Sequence, residues 1–214
     1  MHNSVKSEIT HIVKSSRFAI FFIALMWLTY FLNQHYQLNA YKWGVFPRTL
    51  NGFLGILCSP FIHNSSSYNH IVSNTFPLLI LTTALFYFYK EIALKVFFGV
   101  WAISGFWLWI LSRPSFHIGA STIIYGLAFF LFFSGWIRRS KPLMGLSLLV
   151  AFLYGSMLWG LLPIDWSISF EGHAYGAISG IILAYYYKNQ GPQREIYDWE
   201  NEESDDVALQ DNSY

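Results

Sequence analysis

The stretch His117-Ile118-Gly119-Ala120-Ser121-Thr122-Ile123-Ile124-Tyr125-Gly126 joins a short polar break to the start of a long apolar run. Gly119 and Ala120 permit a tight turn, and the apolar residues after them predict a helix that begins near Ser121. A hydroxyl there lies at the positive end of the helix dipole, beside backbone N–H groups without helical partners. For a serine considered by itself, the simplest interpretation is a helix cap.

Composition indicates a membrane protein with an acidic tail. The chain of 214 residues is 54% hydrophobic and 20% aromatic, with a mean hydropathy of +0.37, which is high for a soluble protein. Eight of the twelve carboxylates lie after residue 194, and the first 194 residues carry 13 basic against 4 acidic groups. The single cysteine, Cys58, excludes an intrachain disulfide.

Six apolar runs are separated by polar or turn-forming residues, and each is predicted to cross the membrane as a helix of about 20 residues. The runs are Phe18–Leu32, Ile71–Tyr89, Val96–Leu111, Ile118–Ile137, Leu143–Leu162 and Ala174–Tyr187. The predicted fold is therefore an all-α membrane protein, a bundle of six transmembrane helices. The segment 33–69 is too long for a simple turn, so we expect an ordered outer loop between helices 1 and 2.

The basic residues predict the orientation of this bundle. If the N-terminus is cytoplasmic, the inside segments hold ten Lys and Arg residues and the outside segments three. The inside residues are Lys6, Lys14, Arg17, Lys90, Lys95, Arg138, Arg139, Lys141, Lys188 and Arg194, and the outside residues are Lys42, Arg48 and Arg113. We therefore expect cytoplasmic termini, with residues 1–17 as an N-terminal segment, 18–190 as the transmembrane domain and 191–214 as a disordered acidic tail. No cleavable signal peptide is expected, because no small-residue cleavage site follows the first run. In this topology the second, fourth and sixth helices begin at the outer face.

Polar residues stand at the beginning of those three helices: His70 with Asn74, Ser121 with Tyr125, and His173 followed by Gly176 and Gly180. Each set has a structural explanation of its own, namely capping, core packing, or close helix packing at the two glycines. Their common depth is what favours a functional site, because polar groups facing into a membrane bundle are costly.

The chemistry that these residues can perform is acyl transfer. A serine within reach of a histidine is an activated nucleophile, and close packing of the sixth helix would bring His173 towards Ser121. His70, Asn74 and the Ser121 backbone N–H are candidate donors to an oxyanion. No carboxylate is available at that depth, so the sequence predicts a dyad, with the ring of Tyr125 helping to hold the imidazole in place.

The pattern His70-x-x-x-Asn74, Gly119-x-Ser121 and His173-x-x-Gly176-x-x-x-Gly180, placed on the second, fourth and sixth helices, resembles the rhomboid intramembrane serine proteases. The stretches Gly44-Val-Phe-Pro-Arg48 and Glu171-Gly-His173 are similar to the bacterial branch of that family. The resemblance covers about residues 18–188.

This resemblance implies that Ser121 is the nucleophile, that His173 is the general base and then acid, and that His70 and Asn74 bind the oxyanion. It also implies that Tyr125 stacks on His173 and that the fifth helix, with the loop before His173, gates substrate entry. The expected substrates are single-pass membrane proteins cut near the outer face, in the lipid bilayer of a bacterial inner membrane. Neither a cofactor nor a metal is expected.

One position departs from the family pattern. Thr122 stands where glycine usually follows the serine, and its β-branched side chain has the bulk to crowd the serine or the sixth helix. The change removes no proposed catalytic atom, so activity is expected to survive. An inactive rhomboid-like protein that binds transmembrane segments without cutting them is nevertheless the main alternative. The intact Ser121 and His173 argue against it.

Other classes of function have less support. A small transporter is disfavoured because the polar groups cluster at one face and no repeat is visible. A zinc site could be built from His63, His70, His117 and His173, but the motif His-Glu-x-x-His of metalloproteases is absent. We expect His63 and His117 to be loop and wall residues. An aspartyl protease would need two membrane aspartates, and only Asp165 precedes the tail. The basic residues are scattered, so nucleic-acid binding is not indicated.

Overall fold

A computed structural model describes residues 2–64, 68–154, 159–164, 166 and 168–193 of the chain. Over these residues the protein has seven α-helices and no β-strand, so the prediction of an all-α fold is confirmed for the described part. The helices are α1 (His2–Tyr36), α2 (Leu50–Cys58), α3 (Tyr68–Phe88), α4 (Ala93–Leu111), α5 (Ser121–Arg138), α6 (Lys141–Tyr154) and α7 (Phe170–Tyr186).

Four spans in the described residues are long and apolar enough to cross a membrane: Val5–Tyr36, Tyr68–Phe88, Ala93–Leu111 and Ser121–Arg138. The helices α6 and α7 are shorter, with 14 and 17 residues. These lengths are those expected of a multi-pass membrane protein. The number of six membrane crossings stays a prediction.

Two boundaries differ from the predicted apolar runs. Helix α1 begins at His2, because no proline or glycine interrupts the chain up to Tyr36, so the predicted N-terminal segment is helical and continuous with the first run. Helix α6 is described from Lys141 to Tyr154, and residues 159–161, which include Gly160, form a 3-10 turn before Pro163, so the end of the predicted run is not α-helical. Residues 155–158 of that run, and the acidic tail beyond Gln193, lie outside the described residues.

Helix α5 is at the centre of the bundle. Of its apolar window 61% is buried, against 28%, 39% and 33% for the other three candidate spans. It contacts α3, α4, α6 and α7. Because α5 begins at Ser121, the most enclosed helix of the four carries the candidate nucleophile at its first residue.

The backbones of α5 and α7 meet at glycines. A methyl group on Gly176 would collide with the carbonyl oxygen of Thr122, and a methyl group on Gly180 would collide with that of Gly126. On the α5 side, a methyl group on Gly126 would lie 3.1 Å from the carbonyl oxygen of Gly176. Small residues four positions apart permit such contact between membrane helices. The two helices therefore have little freedom to change their separation.

At the opposite end of α5, the buried side chain of Arg138 binds the chain that follows α7. Its Nε donates to Ser134 Oγ at 2.9 Å, and the side chain is 6% exposed. The two terminal nitrogens donate at 2.7–3.0 Å to the carbonyl oxygens of Tyr187, Lys188, Gln190 and Pro192. These carbonyls lie at and beyond the C-terminal end of α7, where a cation is favoured by the helix dipole.

The turn before Ser121 is supported by the segment between α1 and α3. Val45 and His117 exchange two backbone hydrogen bonds, at 3.0 and 2.8 Å, and the Gly119 N–H donates to the Ser59 carbonyl at 2.8 Å. Gly119 has φ of +105°, and a side chain there would come within 2.7 Å of His70 Nε2. Glycine is thus required for both conformation and space.

The contact between α5 and α7 predicts a stability difference between two glycine-to-valine variants. Gly180→Val places a branched side chain against the α5 backbone, so we expect a lower thermal unfolding temperature in detergent, with overpacking costing about 1–3 kcal/mol or more. Gly145→Val is the control, because a Cβ on Gly145 of α6 meets nothing within 4 Å. Equal unfolding temperatures for the two variants would contradict the proposed close packing.

Candidate active site

Ser121 and His173 are hydrogen-bonded across the interface of α5 and α7. Ser121 Oγ lies 2.9 Å from His173 Nε2, and the histidine is 7% exposed. The N-cap position of α5 is occupied by Ala120, so the simplest interpretation of Ser121 as the helix cap is wrong. The left-handed turn at Gly119 makes Ser121 the first residue of the helix, and its hydroxyl meets α7 instead.

The orientation of His173 is determined by a backbone carbonyl and by an aromatic ring. Its Nδ1 lies 2.8 Å from the Gly160 carbonyl oxygen, which can only accept, so Nδ1 carries the proton and Nε2 presents a lone pair to Ser121. The ring of Tyr125 stacks on the imidazole with centroids 4.1 Å apart and planes 7° from parallel. A Cβ on Gly160 would overlap the Tyr125 hydroxyl, so glycine at this position leaves room for the stacked ring.

Helix α3 brings two hydrogen-bond donors to the same cavity. The backbone N–H of Asn64 donates to His70 Nδ1 at 3.3 Å, so in the neutral ring Nε2 carries the proton and acts as a donor. Asn74 uses one amide hydrogen to bind the His70 carbonyl at 2.6 Å and retains a second. Asn74 is 4% exposed, so this amide is fixed among packed neighbours.

The cavity has a volume of about 640 Å³. Its inner wall includes Ser121, His173, Tyr125, His70 and Asn74. Its outer wall comes from the loops before α5 and α7 and includes Arg113, Trp166, Ile168 and Ser169. The volume is in the range of small-molecule and peptide side-chain sites. In the described residues no group of three or more His, Cys, Asp or Glu side chains is placed to hold a metal ion.

Arg113, on the loop after α4, holds the segment that covers this cavity. It donates to the carbonyl oxygens of Trp166 and Ile168 at 2.9 and 2.7 Å, and its Nε lies 3.3 Å from Glu171 Oε1. The guanidinium also lies 5.0 Å from the ring centroid of Trp166 and 5.1 Å from that of Phe170. The side chain of Arg113 therefore connects the loop before Ser121 to the start of α7.

His117 makes a second connection between the loop before α5 and the loop before α7. Its Nε2 lies 3.3 Å from the Arg113 carbonyl and therefore donates, while Nδ1 lies 2.6 Å from Ser169 Oγ and accepts. Burial lowers the pKa of His117, although the Arg113 carbonyl favours the protonated ring, so the imidazole is neutral at physiological pH. Ser169 is the N-cap residue of α7, but its hydroxyl is hydrogen-bonded to His117 and does not cap the helix.

Thr122 faces a glycine of α7. A Cβ on Gly172 would lie 2.7 Å from Thr122 Oγ1 and 2.9 Å from Ser169 Oγ. Because residue 172 is glycine, there is room for Thr122, which stands where the rhomboid pattern has glycine. The anticipated crowding is relieved on the α7 side, and the hydrogen bond between Ser121 and His173 coexists with Thr122.

Some of these contacts could not be predicted from the sequence. The Gly160 carbonyl is a backbone group, and no side-chain pattern marks it as the partner of His173. Arg113 and His117 were expected to be an outside charge and a wall residue, yet both hold the start of α7. Their only sequence signal is their place on the short loop that precedes Ser121.

Comparison with known proteins identifies relatives of the chain. Residues 50–190 match the rhomboid family through its Rhomboid domain. An uncharacterized protein of Mycobacterium tuberculosis is 30% identical over 179 residues, which cover 77% of this chain and 71% of that protein. An uncharacterized protein of Mycobacterium leprae is 32% identical over 174 residues, covering 77% and 68%.

The close approach of Thr122 to Gly172 predicts that substitutions at the two positions are coupled, which a double-mutant cycle can measure. Gly172→Ala alone places a methyl group against Thr122 Oγ1 and is expected to lower the thermal unfolding temperature and the rate of labelling by a fluorophosphonate serine probe. The double variant Thr122→Gly/Gly172→Ala removes the contact with Thr122 Oγ1 and leaves only that with Ser169 Oγ, so part of the labelling rate should return. A Gly172→Ala variant that labels like the wild type would show that the two side chains do not compete for this space.

Proposed function

The chain belongs to the rhomboid family, and from this premise we propose that it is an intramembrane serine endopeptidase that acts through Ser121 and His173. The observation that carries the proposal is the hydrogen bond of 2.9 Å between Ser121 Oγ and His173 Nε2, with Nδ1 held by the Gly160 carbonyl. This arrangement gives the imidazole the tautomer that a general base requires. Among the residues that the structure describes, no carboxylate is hydrogen-bonded to His173, so the Gly160 carbonyl and the stacked Tyr125 orient the proposed base.

In the proposed reaction, Ser121 Oγ attacks the carbonyl carbon of the scissile peptide bond while its proton passes to His173 Nε2. The resulting oxyanion receives hydrogen bonds from His70 Nε2–H, from Asn74 and from the Ser121 backbone N–H. Collapse of the intermediate breaks the C–N bond, and His173 gives its proton to the leaving amine. Each of these groups lies on the wall of one cavity or at the first residue of α5.

The second half of the reaction releases the acyl group. A water molecule attacks the ester carbon as His173 accepts one of its protons, and the tetrahedral intermediate then breaks the bond to Ser121 Oγ. The proton on His173 returns to that oxygen, so the enzyme ends in its starting state. No cofactor takes part in this sequence of steps.

The proposed setting is a bacterial inner membrane with both termini in the cytoplasm. Residues 18–190 form the transmembrane domain, and α1, α3, α4, α5, α6 and α7 are its six spanning helices. The short helix α7 then starts within the outer half of the bilayer, and Ser121 lies near the outer face. This assignment rests on the distribution of Lys and Arg in the sequence.

The proposed substrates are single-pass membrane proteins, cut where an extended segment enters the cavity from the outer leaflet. Access is proposed to pass α6 and the loop before His173. The contacts of Arg113 with Trp166, Ile168 and Glu171 hold part of that loop over the cavity. Release of these contacts is therefore expected to accompany substrate entry.

An inactive, binding-only protein is the less supported alternative. Its single sequence argument was Thr122, and Gly172 provides space for that side chain. The three donors, the base and the nucleophile proposed for catalysis are all present. We therefore place hydrolysis ahead of binding without cleavage.

The proposal is tested by cleavage of a single-pass transmembrane substrate in liposomes. We expect cleavage by the wild type and a loss of at least about 10³-fold in both Ser121→Ala and His173→Ala, because nucleophile and base act as one unit. Matched controls are Ser16→Ala and His35→Ala, which change a half-buried serine and an exposed histidine of α1. Cleavage that persists in Ser121→Ala, or a folded wild type that cuts none of a panel of such substrates, would refute the proposal.

A further inference from the structure

Arg138 uses every hydrogen-bond donor of its buried side chain, and the proposed reaction uses none of them. Its Nε donates to Ser134 Oγ within α5. The two terminal nitrogens donate to four backbone carbonyl oxygens, those of Tyr187, Lys188, Gln190 and Pro192. A guanidinium carries five N–H groups in one plane, so each of the five has an acceptor. A buried cation with this many directed contacts holds the groups around it in fixed positions.

The four carbonyls belong to the turn at the C-terminal end of α7. The Tyr187 N–H still donates to the Leu183 carbonyl as it would in the helix, and the Gln190 N–H donates to the Tyr187 carbonyl. Gly191 then has φ of +79°, a left-handed conformation that favours glycine, and this bend lets the carbonyls of Gln190 and Pro192 face the same guanidinium. One side chain of α5 therefore holds the end of α7.

The buried residues of α7 are mostly small. Six of the eight are glycine, alanine or serine, namely Gly172, Gly176, Ala177, Ser179, Gly180 and Ala184. Small residues permit the close approach of membrane helices. They also offer few side chains that interlock along the helix axis, and packed helices can slide past one another by small amounts. The glycine contacts therefore set the distance between α5 and α7, whereas the contacts of Arg138 oppose displacement of α7 along its axis.

We propose that Arg138 is a positioning residue for the proposed catalytic pair: it holds α7 at the axial position in which His173 Nε2 meets Ser121 Oγ. The inference rests on the proposed function. Helix α5 has 18 residues, so Arg138 lies about 25 Å from Ser121, and it is not part of the cavity wall. Its effect on the reaction is therefore exerted through the position of α7.

A displacement of α7 would reach His173, because no proline interrupts the helix between this residue and its C-terminal end. Two contacts there join α7 to α5. They are the hydrogen bond of 2.9 Å to Ser121 and the stacking of the imidazole on Tyr125, with centroids 4.1 Å apart. A slide of α7 changes both contacts, and a misplacement of about 1 Å can lower the rate of a reaction about 100-fold.

The matched variants are Arg138→Gln and Arg139→Gln, because each removes one positive charge from the same end of the bundle. Arg139 is exposed and follows the last residue of α5. At a temperature well below the unfolding of each variant, we expect Arg138→Gln to lower kcat for a transmembrane substrate, and the rate of fluorophosphonate labelling, at least about tenfold. KM should be unchanged, and Arg139→Gln should match the wild type. Arg138→Lys keeps the charge with three donors and should lie between them.

A second variant leaves Arg138 in place, in case its replacement unfolds the protein. Gly191→Ala disfavours the left-handed backbone of the turn that carries the carbonyl acceptors. The added methyl group would make only ordinary contacts, at 3.5 Å or more, with Ile92 and Tyr89. We therefore expect a folded protein whose labelling rate falls in the same direction as that of Arg138→Gln, by a smaller factor.

The position of His173 is measured independently of activity, from the NMR resonances of its ring nitrogens, assigned with His173→Ala. In the wild type Nε2 should show the hydrogen bond to Ser121. In Arg138→Gln and Gly191→Ala this resonance should move towards that of an imidazole nitrogen without a donor, and in Arg139→Gln it should stay in place.

Two results overturn the proposal. One is a pair of Arg138 and Gly191 variants that unfold at a lower temperature but label and cleave like the wild type, because Arg138 then contributes to stability alone. The other is a loss of rate with unchanged His173 resonances. A folded wild type that neither labels nor cleaves refutes the protease instead, and the ring resonances of the variants then decide by themselves whether Arg138 positions His173.

Discussion

The contact between the backbones of α5 and α7 determines the geometry of the whole site. Thr122 and Gly126 on one helix meet Gly176 and Gly180 on the other at distances that leave no space for a side chain. Since Ser121 and His173 lie one turn from these contacts, the separation of the helices also sets the separation of the hydroxyl and the imidazole. At the other end, Arg138 joins the two elements through carbonyl oxygens beyond α7. The pair is thus fixed at both ends.

On this rigid pair the protein arranges polar groups whose hydrogen-bond partners decide their protonation. The Gly160 carbonyl leaves His173 Nε2 as an acceptor towards Ser121, whereas the Asn64 N–H leaves His70 Nε2 as a donor. Two histidines with opposite tautomers therefore face one cavity, and each has the form that its proposed role requires. In the proposed mechanism, the Gly160 carbonyl takes the place of the buried carboxylate of a triad, so no charge has to be buried in the bundle.

Much of this arrangement could be predicted, because the lengths of the apolar runs and the spacing of the polar residues between them are visible in the sequence. The all-helical fold and the rhomboid family follow from the apolar runs and from the residues around His70, Ser121 and His173, and the structure brings those residues to one cavity. Contacts that depend on tertiary position were not predictable. Arg138 was counted as a loop charge, yet it is buried against carbonyls. The partner of Thr122, Gly172, is fifty residues away in sequence, so no local pattern connects them.

If Ser121 is a nucleophile activated by His173, a covalent serine probe should react at Ser121 alone, and mapping the site of the adduct decides this. The folded protein would be treated with a fluorophosphonate probe in liposomes, digested and analysed by mass spectrometry. We expect one adduct, on the peptide that contains Ser121, and no adduct in His173→Ala. An adduct on another serine, or a folded wild type that stays unmodified, would show that Ser121 is not an activated nucleophile.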